Sequence, residues 1–275
     1  MIAILLPAYN EEESLPALLP KIDQAMGEGG FAYRLIIGND GSSDQTARLL
    51  EEAQLRYPIE VLTHRRNRGL GETVRDLFER AAEVCAVNDV IVRMDCDDTH
   101  EPKYIVDMVR KLDEGADVVT ASRFQQGGGQ RGVVGHRALL SSCANLFMRT
   151  VFPIRNVREY SCGFRAYRAG LIKTALDVYG NNFIQLKGLG FTCTLEKLIK
   201  LNLLGARFAE VPFVLRYDNK RSSSKMPSRI TTLGYLVMAI CYHWPWGGWS
   251  SQRRGRRAQV ALLNRSQAAT EKSAA

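Results

Sequence analysis

The sequence lacks the cysteine and histidine spacings that build zinc sites and disulfide frameworks. Its six cysteines form no CxxC pair, and its four histidines form no HExxH. Scattered thiols of this kind are typical of reduced, cytosolic proteins, whereas closely spaced cysteines mark metal-binding or secreted domains. We therefore expect neither a zinc centre nor a disulfide-stapled fold.

Long apolar runs are also missing. The N-terminal run carries no basic residues before it and ends at Pro7, which is not the pattern of a secretory signal. The C-terminal stretch Leu233–Trp246 would form a helix of about 21 Å, shorter than the roughly 30 Å of a bilayer core. Tryptophans cluster at its end and RRGRR (residues 253–257) follows, so we predict a helix at the membrane surface. The alternative is an amphipathic helix packed on the domain.

The composition is that of a globular protein with a basic surface. The 275 residues include 45% hydrophobic and 24% charged residues, and the formal net charge is +8. This charge favours anionic partners such as phosphates, lipid headgroups or nucleic acid without choosing among them. No internal repeat and no clear linker divides the chain, which we interpret as one domain followed by a C-terminal segment.

Apolar strands alternate with helices through the first half of the chain. The strands are apolar without a polar face, which is typical of a mostly parallel sheet covered by helices on both faces. We therefore predict an α/β fold. The predicted strands are Ile2–Leu6, Arg34–Gly38, Ile59–Thr63, Val90–Met94 and Asp117–Ala121, and the predicted helices are Glu11–Met26, Gln45–Arg56, Glu72–Ala86 and Lys103–Glu114.

The second half is less regular. Gln125–Gly132 contains four glycines and is predicted to be a flexible loop. Tyr217–Met226 is basic and serine-rich, which suits a mobile lid that orders on phosphate, although a solvated loop has the same composition. The other predicted elements are a helix at Val134–Phe152, a strand entered through Glu159–Tyr167, a helix at Phe191–Leu204 and a strand at Ala206–Arg216.

Three predicted strands end in unusual polar sequences: PAYNE after the first, NDGSSD after the second and DCDD after the fourth. Ligands of parallel sheets bind at the carboxyl ends of strands, so these loops are expected to form one site. Asp95 and Asp97 form a DxD pair whose oxygens suit Mg²⁺ or Mn²⁺. The alternative is a polar loop in which Asp98 or Thr99 caps the next helix.

Seven motifs resemble, in order, those of family 2 glycosyltransferases, most closely the dolichyl- or polyprenyl-phosphate sugar transferase branch. The resemblance runs from about residue 2 to residue 226. It implies the GT-A fold, a nucleotide-diphosphate hexose as donor (GDP- or UDP-linked), a divalent cation (Mg²⁺ or Mn²⁺) and inversion at the anomeric carbon. The motifs are Pro7–Glu11, Asn39–Asp44, Asp95 with Asp97, Ala121–Phe124, Ser161–Tyr167, Glu210–Pro212 and Ser224–Met226.

The resemblance also implies roles for single residues. Asp95 and Asp97 are the expected metal residues, with Asp97 as the main ligand and Asp95 beside it, near the sugar or ribose. Asp95, Asp97, Arg123, Arg165 and Lys225 are the implied catalytic residues. The residues expected to hold the nucleotide-sugar are Pro7, Ala8, Tyr9, Glu11, Asn39, Asp40, Asp95 and Cys96. The residues expected at the acceptor phosphate are Arg131, Arg165, Lys220 and Lys225.

Alternatives stay open for several of these side chains. Arg123 has the alternative of a surface ion pair, and Arg165 that of a structural arginine bonded to loop carbonyls. An ionised phosphate acceptor needs no strong base, whereas an alcohol acceptor needs one, and Asp98 and Glu159 are then the candidates. We predict that His100 is a surface or capping residue.

The motifs depart from the family pattern at three places. Asn39 stands where an aspartate is usual, Cys162 where a serine is usual, and Arg158-Glu159 replaces a small residue followed by aspartate. The first departure leaves the base of the donor undetermined. The Q/RxxRW signature is absent, which disfavours a polysaccharide synthase.

The sequence thus predicts a GT-A domain over residues 1–226, with a nucleotide-sugar half (1–124) and an acceptor half (125–226). An interfacial helical segment (227–249) and a disordered basic tail (250–275) are expected to follow. We expect a cytoplasmic protein, peripheral on the cytoplasmic face of the membrane, acting on a polyprenyl or dolichyl phosphate, with a membrane partner protein conceivable and no nucleic acid. The alternatives are a soluble, protein or glycan acceptor, a nucleotidyltransferase, or a non-catalytic basic binding protein.

Overall fold

A seven-stranded sheet forms the centre of the molecule in the computed structural model, which describes residues 1–133, 135–220 and 228–243. The strands are β1 (Ile2–Ala8), β2 (Tyr33–Asn39), β3 (Ile59–Thr63), β4 (Val90–Arg93), β5 (Val118–Ser122), β6 (Gly129–Arg131), β7 (Arg165–Arg168), β8 (Phe208–Pro212) and β9 (Val214–Arg216). The helices are α1 (Leu15–Glu28), α2 (Thr46–Ala53), α3 (Leu70–Val84), α4 (Tyr104–Asp113), α5 (Gly135–Val151), α6 (Ala169–Tyr179), α7 (Thr192–Leu203) and α8 (Ser228–His243), with short 3₁₀ turns at Gly180–Ile184 and Tyr217–Asn219.

The central sheet is mostly parallel, as predicted. Its spatial order is β3-β2-β1-β4-β7-β5-β8, and within it only β7 runs antiparallel to its neighbours. A second, two-stranded sheet pairs β6 with β9 in parallel. Because β7 inserts between β4 and β5 and β8 extends the central sheet at its edge, the half of the chain after residue 124 completes the same core rather than forming a separate layer.

Helices cover both faces of the sheet. Successive residues of β1 point to opposite faces: Ile4 joins the core under α1 and α4, and Leu5 joins the core under α3, α6 and α7. Both side chains are fully buried. A strand buried on both faces has no polar side, which explains its unbroken apolar sequence.

The predicted elements of the first half are confirmed, with ends that differ by a few residues. β3 has the predicted bounds, while β1 continues through Pro7 to Ala8 in register with β2. α1 begins late, at Leu15, with Pro16 in its first turn, where a missing N–H costs nothing.

The second half corrects two predictions and adds one helix. The glycine-rich segment Gln125–Gly132 is not simply a loop, because it contains β6. The predicted strand Ala206–Arg216 is two strands in different sheets, since the chain leaves the central sheet at Pro212 and Phe213 turns into the core. α6 was not predicted.

The C-terminal part is described only as α8, since residues 221–227 and 244–275 lie outside the described ranges, and with them Lys225 and the predicted tail. Within the described ranges, no helix is both long enough and apolar enough to cross a membrane.

Candidate active site

The carboxyl ends of β1, β2, β3 and β4 meet at one edge of the sheet. Ala8 of β1 pairs with Asn39 of β2, and Leu5 of β1 pairs with Arg93 of β4. The strands β2 and β3 lie on one side of β1, and β4 lies on the other. The strand order therefore reverses between β1 and β4, which makes this edge a topological switch point, where open α/β sheets bind ligands. The predicted convergence of the three polar loops is therefore present.

Hydrogen bonds join the loop after β1 to the loop after β2. Asn10 N–H donates to Ser42 Oγ at 3.0 Å, and Glu11 N–H donates to Thr46 Oγ1 at 2.8 Å. Asn39, predicted to touch the nucleotide, is buried, and its Oδ1 accepts from Ser42 N–H at 3.1 Å. The remaining predicted nucleotide residues of this edge are the partly exposed Pro7 and Tyr9 and the buried Ala8, Glu11 and Cys96.

Asp40 ties the loop after β3 to this edge. Its Oδ1 lies 2.7 Å from His64 Nδ1 and accepts from Arg68 N–H at 2.8 Å, while its Oδ2 accepts from Gly69 N–H at 2.9 Å. The carboxylate is buried. Asp40 thus orders a basic loop beside this edge.

Asp95, the first residue of the DxD pair, is held from beneath. Its Oδ1 lies 2.6 Å from Nη2 of Arg93, whose side chain is 1% exposed, and its backbone N–H donates to His100 Nδ1 at 3.0 Å. The prediction that His100 is a surface or capping residue is wrong. The imidazole is buried and stacked on Phe164 with ring centroids 5.2 Å apart, and burial lowers its pKa.

Asp97, the second residue of the pair, already faces a cation. The ammonium of Lys220 forms an ion pair with its Oδ2, and Thr99 Oγ1 donates to its Oδ1 at 2.6 Å. Burial raises the pKa of Asp97, but the charge of Lys220 and the hydrogen bonds from Lys220 and Thr99 outweigh this, and the pKa lies below its usual value. The position beside Asp97 therefore accommodates positive charge.

Asp98 does not cap the next helix. Its carboxylate pairs with the ammonium of Lys21, on α1, at 2.6 Å and is mostly buried. Its backbone has a φ of 58°, a left-handed conformation that aspartate tolerates better than most residues. The pair pins the DxD loop to α1.

The donor set around the DxD pair fits a hard divalent cation that brings further ligands with it. The described residues hold no group of three or more histidine, cysteine or acidic side chains that would enclose a metal ion. Asp97, with Asp95 beside it, offers carboxylate oxygens only. Mg²⁺ and Mn²⁺ suit such sites when substrate phosphates and water complete the shell.

Arg123 is engaged in a buried ion pair rather than a surface one. Its Nε and Nη2 donate to the two carboxylate oxygens of Glu159 at 2.8 and 2.9 Å, and Nη2 also donates to Ser161 Oγ at 2.8 Å. Glu159 is fully buried. Burial raises its pKa, but Arg123 and the hydrogen bonds from Ser161 hold the pKa below its usual value.

Arg165 lies in the core, which favours the structural alternative over a phosphate contact. Its side chain is fully buried, and Nη1 and Nη2 donate to the backbone carbonyls of Thr194 and Tyr160 at 2.5 and 2.9 Å. A phosphate cannot approach a guanidinium in this position without opening the core.

Arg131 and Lys220 belong to the small second sheet and its end. Arg131 is exposed at the end of β6, opposite Arg216 of β9, and Lys220 follows four residues after Arg216. Arg216 N–H donates to the carbonyl of Thr99 at 3.0 Å. This bond holds the second sheet against the DxD loop. Of the two predicted phosphate residues, Lys220 contacts Asp97 directly, whereas Arg131 lies on the strand paired with β9.

Arg93, His100 and Lys21 were missed as site residues. Arg93 had a visible signal, since it interrupts the apolar strand VIVRM. Lys21 had none, because its partner Asp98 is 77 positions away.

Comparison with known proteins agrees with this geometry. A superposition on glucosyl-3-phosphoglycerate synthase from Mycobacterium tuberculosis, in complex with Mg²⁺ and UDP, has a TM-score of 0.58 at 19% identity and covers 87% of this chain and 79% of that one. TarS 1–349 of S. aureus, in complex with UDP-GlcNAc, gives 0.57 at 16% identity over 94% and 71%. The fold is therefore GT-A, the fold of nucleotide-diphospho-sugar transferases.

The family follows from the sequence match. The glycosyl transferase family 2 model matches residues 3–176, and the chain belongs to this family: it is a family 2 glycosyltransferase. Over 236 residues it is 29% identical to a dolichol-phosphate mannosyltransferase of Pyrococcus furiosus, covering 86% of this chain and 61% of that relative. Over 186 residues it is 30% identical to a polyprenol monophosphomannose synthase of Mycolicibacterium smegmatis, covering 66% and 68%.

Proposed function

We propose that this glycosyltransferase moves a hexosyl group from GDP- or UDP-hexose to a polyprenyl phosphate, with inversion at the anomeric carbon. The observation that carries the proposal is the position of the DxD pair at the switch-point edge, where the ammonium of Lys220 already pairs with Asp97. The names of the Pyrococcus and Mycolicibacterium relatives support a polyprenyl-phosphate acceptor.

In this proposal Asp97 holds a divalent cation, Mg²⁺ or Mn²⁺, with Asp95 next to it. Bound there, the cation would stabilise the departing nucleoside diphosphate as a Lewis acid. Solved GT-A structures with UDP and Mg²⁺ or Mn²⁺ support the choice of ions. The edge from Pro7 to Asp40 would hold the nucleoside.

The acceptor phosphate would attack without a general base. A phosphate is ionised at neutral pH, so its oxygen is nucleophilic as it stands. Asp98 and Glu159, the candidates for a base, each have an internal cation partner, Lys21 and Arg123. This engagement supports an ionised acceptor over an alcohol.

The acceptor phosphate would meet the cations of the second sheet. Arg131 and Lys220 lie beside the DxD loop, and Lys220 is free to pair with the acceptor once a metal takes over Asp97. Lys225 keeps its proposed role from the sequence alone. Residues 1–124 would then supply the donor side and residues 125–226 most of the acceptor side.

A membrane surface would deliver such an acceptor. Exposed apolar side chains form a stripe on α8 and another on the neighbouring α5, and the two helices touch where His243 Nε2 lies 2.9 Å from the carbonyl of Val151. Near the end of α5, an open hollow of about 530 Å³ is lined by three arginines and no acidic residue. Apolar stripes beside arginines suit an anionic lipid surface, and we propose contact at the cytoplasmic face, alone or with a membrane partner protein. The stripes comprise Leu139, Leu140, Leu146 and Phe147 on α5 and Ile230, Leu233, Leu236 and Ile240 on α8, and the arginines are Arg149, Arg155 and Arg158.

The test is transfer from a panel of GDP- and UDP-hexoses to a short-chain polyprenyl phosphate with Mn²⁺. We expect one donor to react, and Asp97→Ala to lose at least 100-fold in rate. Asp107→Ala is the matched control, since Asp107 is an exposed aspartate on α4 paired with Arg110. Wild-type transfer by Asp97→Ala would refute the metal assignment, and transfer only to soluble or protein acceptors would refute the lipid acceptor.

A further inference from the structure

Arg93 is a charged side chain in a place where charge is costly. It ends β4, between strands β1 and β7 in the middle of the sheet, and its side chain is 1% exposed. Among the described residues, Nε and Nη2 find no acceptor with hydrogen-bond geometry. A buried guanidinium needs a compensating anion, and the ion pair with Asp95 at 2.6 Å supplies it.

The fold leaves a slot for this guanidinium. A Cβ built on Gly163 would come within 1.4 Å of Arg93 Nη1, so any larger residue at this position would displace the guanidinium. Burial disfavours the charged form of Arg93, but the negative charge of Asp95 outweighs it, and the pKa of Arg93 is raised. The arginine is therefore a fixed cation beneath the edge of the site.

Both carboxylate oxygens of Asp95 face a buried basic side chain. Oδ1 faces Arg93, and Oδ2 lies 3.6 Å from Nε2 of the buried His100. Its side chain is still 29% exposed. A carboxylate accepts up to about four hydrogen bonds, so Asp95 retains acceptor capacity on its exposed side.

The two aspartates of the DxD pair differ in the cation that each faces. The partner of Asp97 is Lys220, a flexible side chain at the end of the second sheet. The partner of Asp95 is enclosed in the core and cannot leave. A metal ion on Asp95 would be repelled by this neighbouring fixed charge, whereas a metal ion on Asp97 needs only to displace a lysine.

We propose that Arg93 is a positioning residue that orients and neutralises Asp95, so that Asp95 accepts a hydroxyl of the donor nucleotide-sugar instead of ligating the metal. The inference rests on the proposed function in taking a nucleotide-sugar as the ligand. What it adds to the roles already proposed for Asp95 and Asp97 is the residue that fixes Asp95, the buried Arg93.

A double-mutant cycle tests this assignment. The variants are Arg93→Met, Asp95→Asn and the double variant, with Arg93→Lys as the conservative change. Calorimetry measures the affinity for the GDP- or UDP-hexose that the wild type binds, and separately the affinity for Mn²⁺ in the presence of the matching nucleoside diphosphate.

We expect Arg93→Met and Asp95→Asn each to weaken nucleotide-sugar binding about tenfold and to change Mn²⁺ affinity less than threefold. The double variant should bind no more weakly than Asp95→Asn, because Arg93 acts through Asp95. Arg93→Lys should recover part of the loss, since it keeps the charge but not the planar fork.

Folding is monitored by thermal unfolding of each variant. Asp95→Asn leaves the buried Arg93 without its anion and could unfold for that reason. In that case the double variant, which lacks both charges, replaces it, and its donor affinity is compared with that of Arg93→Met. Additive losses of donor affinity, unchanged donor affinity in Arg93→Met, or a selective tenfold loss of Mn²⁺ affinity would each overturn the positioning role. A wild type that binds no nucleoside diphosphate would refute the proposed function itself, which distinguishes the two failures.

Discussion

At single residues, the buried cations of this protein differ in how their charge is compensated. Arg93 faces Asp95, Arg123 faces Glu159, and Lys200 lies 2.6 Å from Glu196. Lys197 belongs to α7 and is fully buried, and its Nζ finds no hydrogen-bond acceptor among the described residues. It lies 4.7 Å from the ring centroid of Phe78, close to the positive charges of Arg93 and Arg165.

Replacing Lys197 should stabilise the protein. Burial lowers the pKa of Lys197 from its usual 10.5 to about 7, so between pH 7 and 10 the unfolded chain binds a proton that the folded chain does not. The contribution of Lys197 to the free energy of unfolding of the wild type therefore becomes more favourable as the pH rises across that window. Lys197→Met should raise the free energy of unfolding by about 2–4 kcal/mol at pH 7, a gain that shrinks toward pH 10.

Denaturant unfolding of both proteins at pH 7, 8.5 and 10 measures this difference. Lys200→Met is the control one turn along the helix: it should destabilise by about 3 kcal/mol, because it leaves Glu196 buried without its cation. A destabilised Lys197→Met at pH 7 would show that Lys197 has a favourable role in the fold.

Lys220 should compete with the metal for Asp97. Its ammonium occupies the carboxylate that the proposed function assigns to the cation. Lys220→Gln should therefore bind Mn²⁺ about three- to tenfold more tightly, the scale of a partly exposed ion pair. Lys21→Gln is the matched control, because it removes the same charge from the neighbouring Asp98. Equal Mn²⁺ affinity in Lys220→Gln and the wild type would contradict the competition.

Among the elements, the loops at the sheet edge depend on one another for their shape. Asp40 bonds the backbone of the loop after β3, and the loop after β2 packs against the same segment at Gly41. Gly41 has a φ of +67°, and a Cβ there would lie 2.4 Å from the carbonyl carbon of Arg66. This edge of the sheet thus requires glycine at position 41 for both conformation and space.

Gly41→Ala should disturb this edge more than its backbone conformation alone explains. Gly30→Ala is the control, since Gly30 has a φ of +66° with no atom within 4 Å of the added Cβ. We expect about 1 kcal/mol of destabilisation for Gly30→Ala and a larger loss for Gly41→Ala, with at least tenfold weaker nucleoside diphosphate binding. Equal effects of both variants on thermal unfolding and binding would exclude close packing as the role of Gly41.

At the scale of the whole molecule, most of the large exposed apolar side chains among the described residues lie on two helices, α5 and α8. α5 and α8 bury Met148 and Met238 against the sheet and turn their exposed leucines and isoleucines away from it. Exposed apolar side chains grouped on two adjacent helices are characteristic of an interaction surface, whereas single exposed apolar residues are ordinary.

Removing this surface should release the protein from membranes. The triple variant Leu139→Gln, Leu146→Gln, Leu233→Gln should show at least tenfold less co-sedimentation with anionic vesicles than the wild type. Added salt should reduce the co-sedimentation of the wild type, because it screens the attraction between arginines and anionic lipids. Leu55→Gln with Val87→Gln is the control, since these exposed residues lie outside both stripes. Sedimentation of the triple variant like the wild type would refute this surface as the contact.

Much of this molecule is readable from local sequence. Apolar strands such as β1 and β3 predict the covered parallel sheet, because a strand buried on both faces cannot alternate with polar residues. The DxD pair and the polar loop ends predict the edge that carries the site, because parallel strands deliver their carboxyl ends to one place. β6 and α6 were missed because their short or ambiguous patterns depend on partners distant in the chain.

What the sequence by itself determined is therefore the sheet, the convergence of its polar loops at one edge and the family; the partners of the buried charges at that edge were decided only by the tertiary structure. His100 is buried because Phe164 stacks on it, Asp98 meets Lys21 on α1 instead of capping α4, and Arg165 ends in the core. Each of these outcomes joins residues far apart along the chain. Desolvation and charge pairing depend on which residues lie close together in space, and no local pattern of residues encodes contacts between distant parts of the chain.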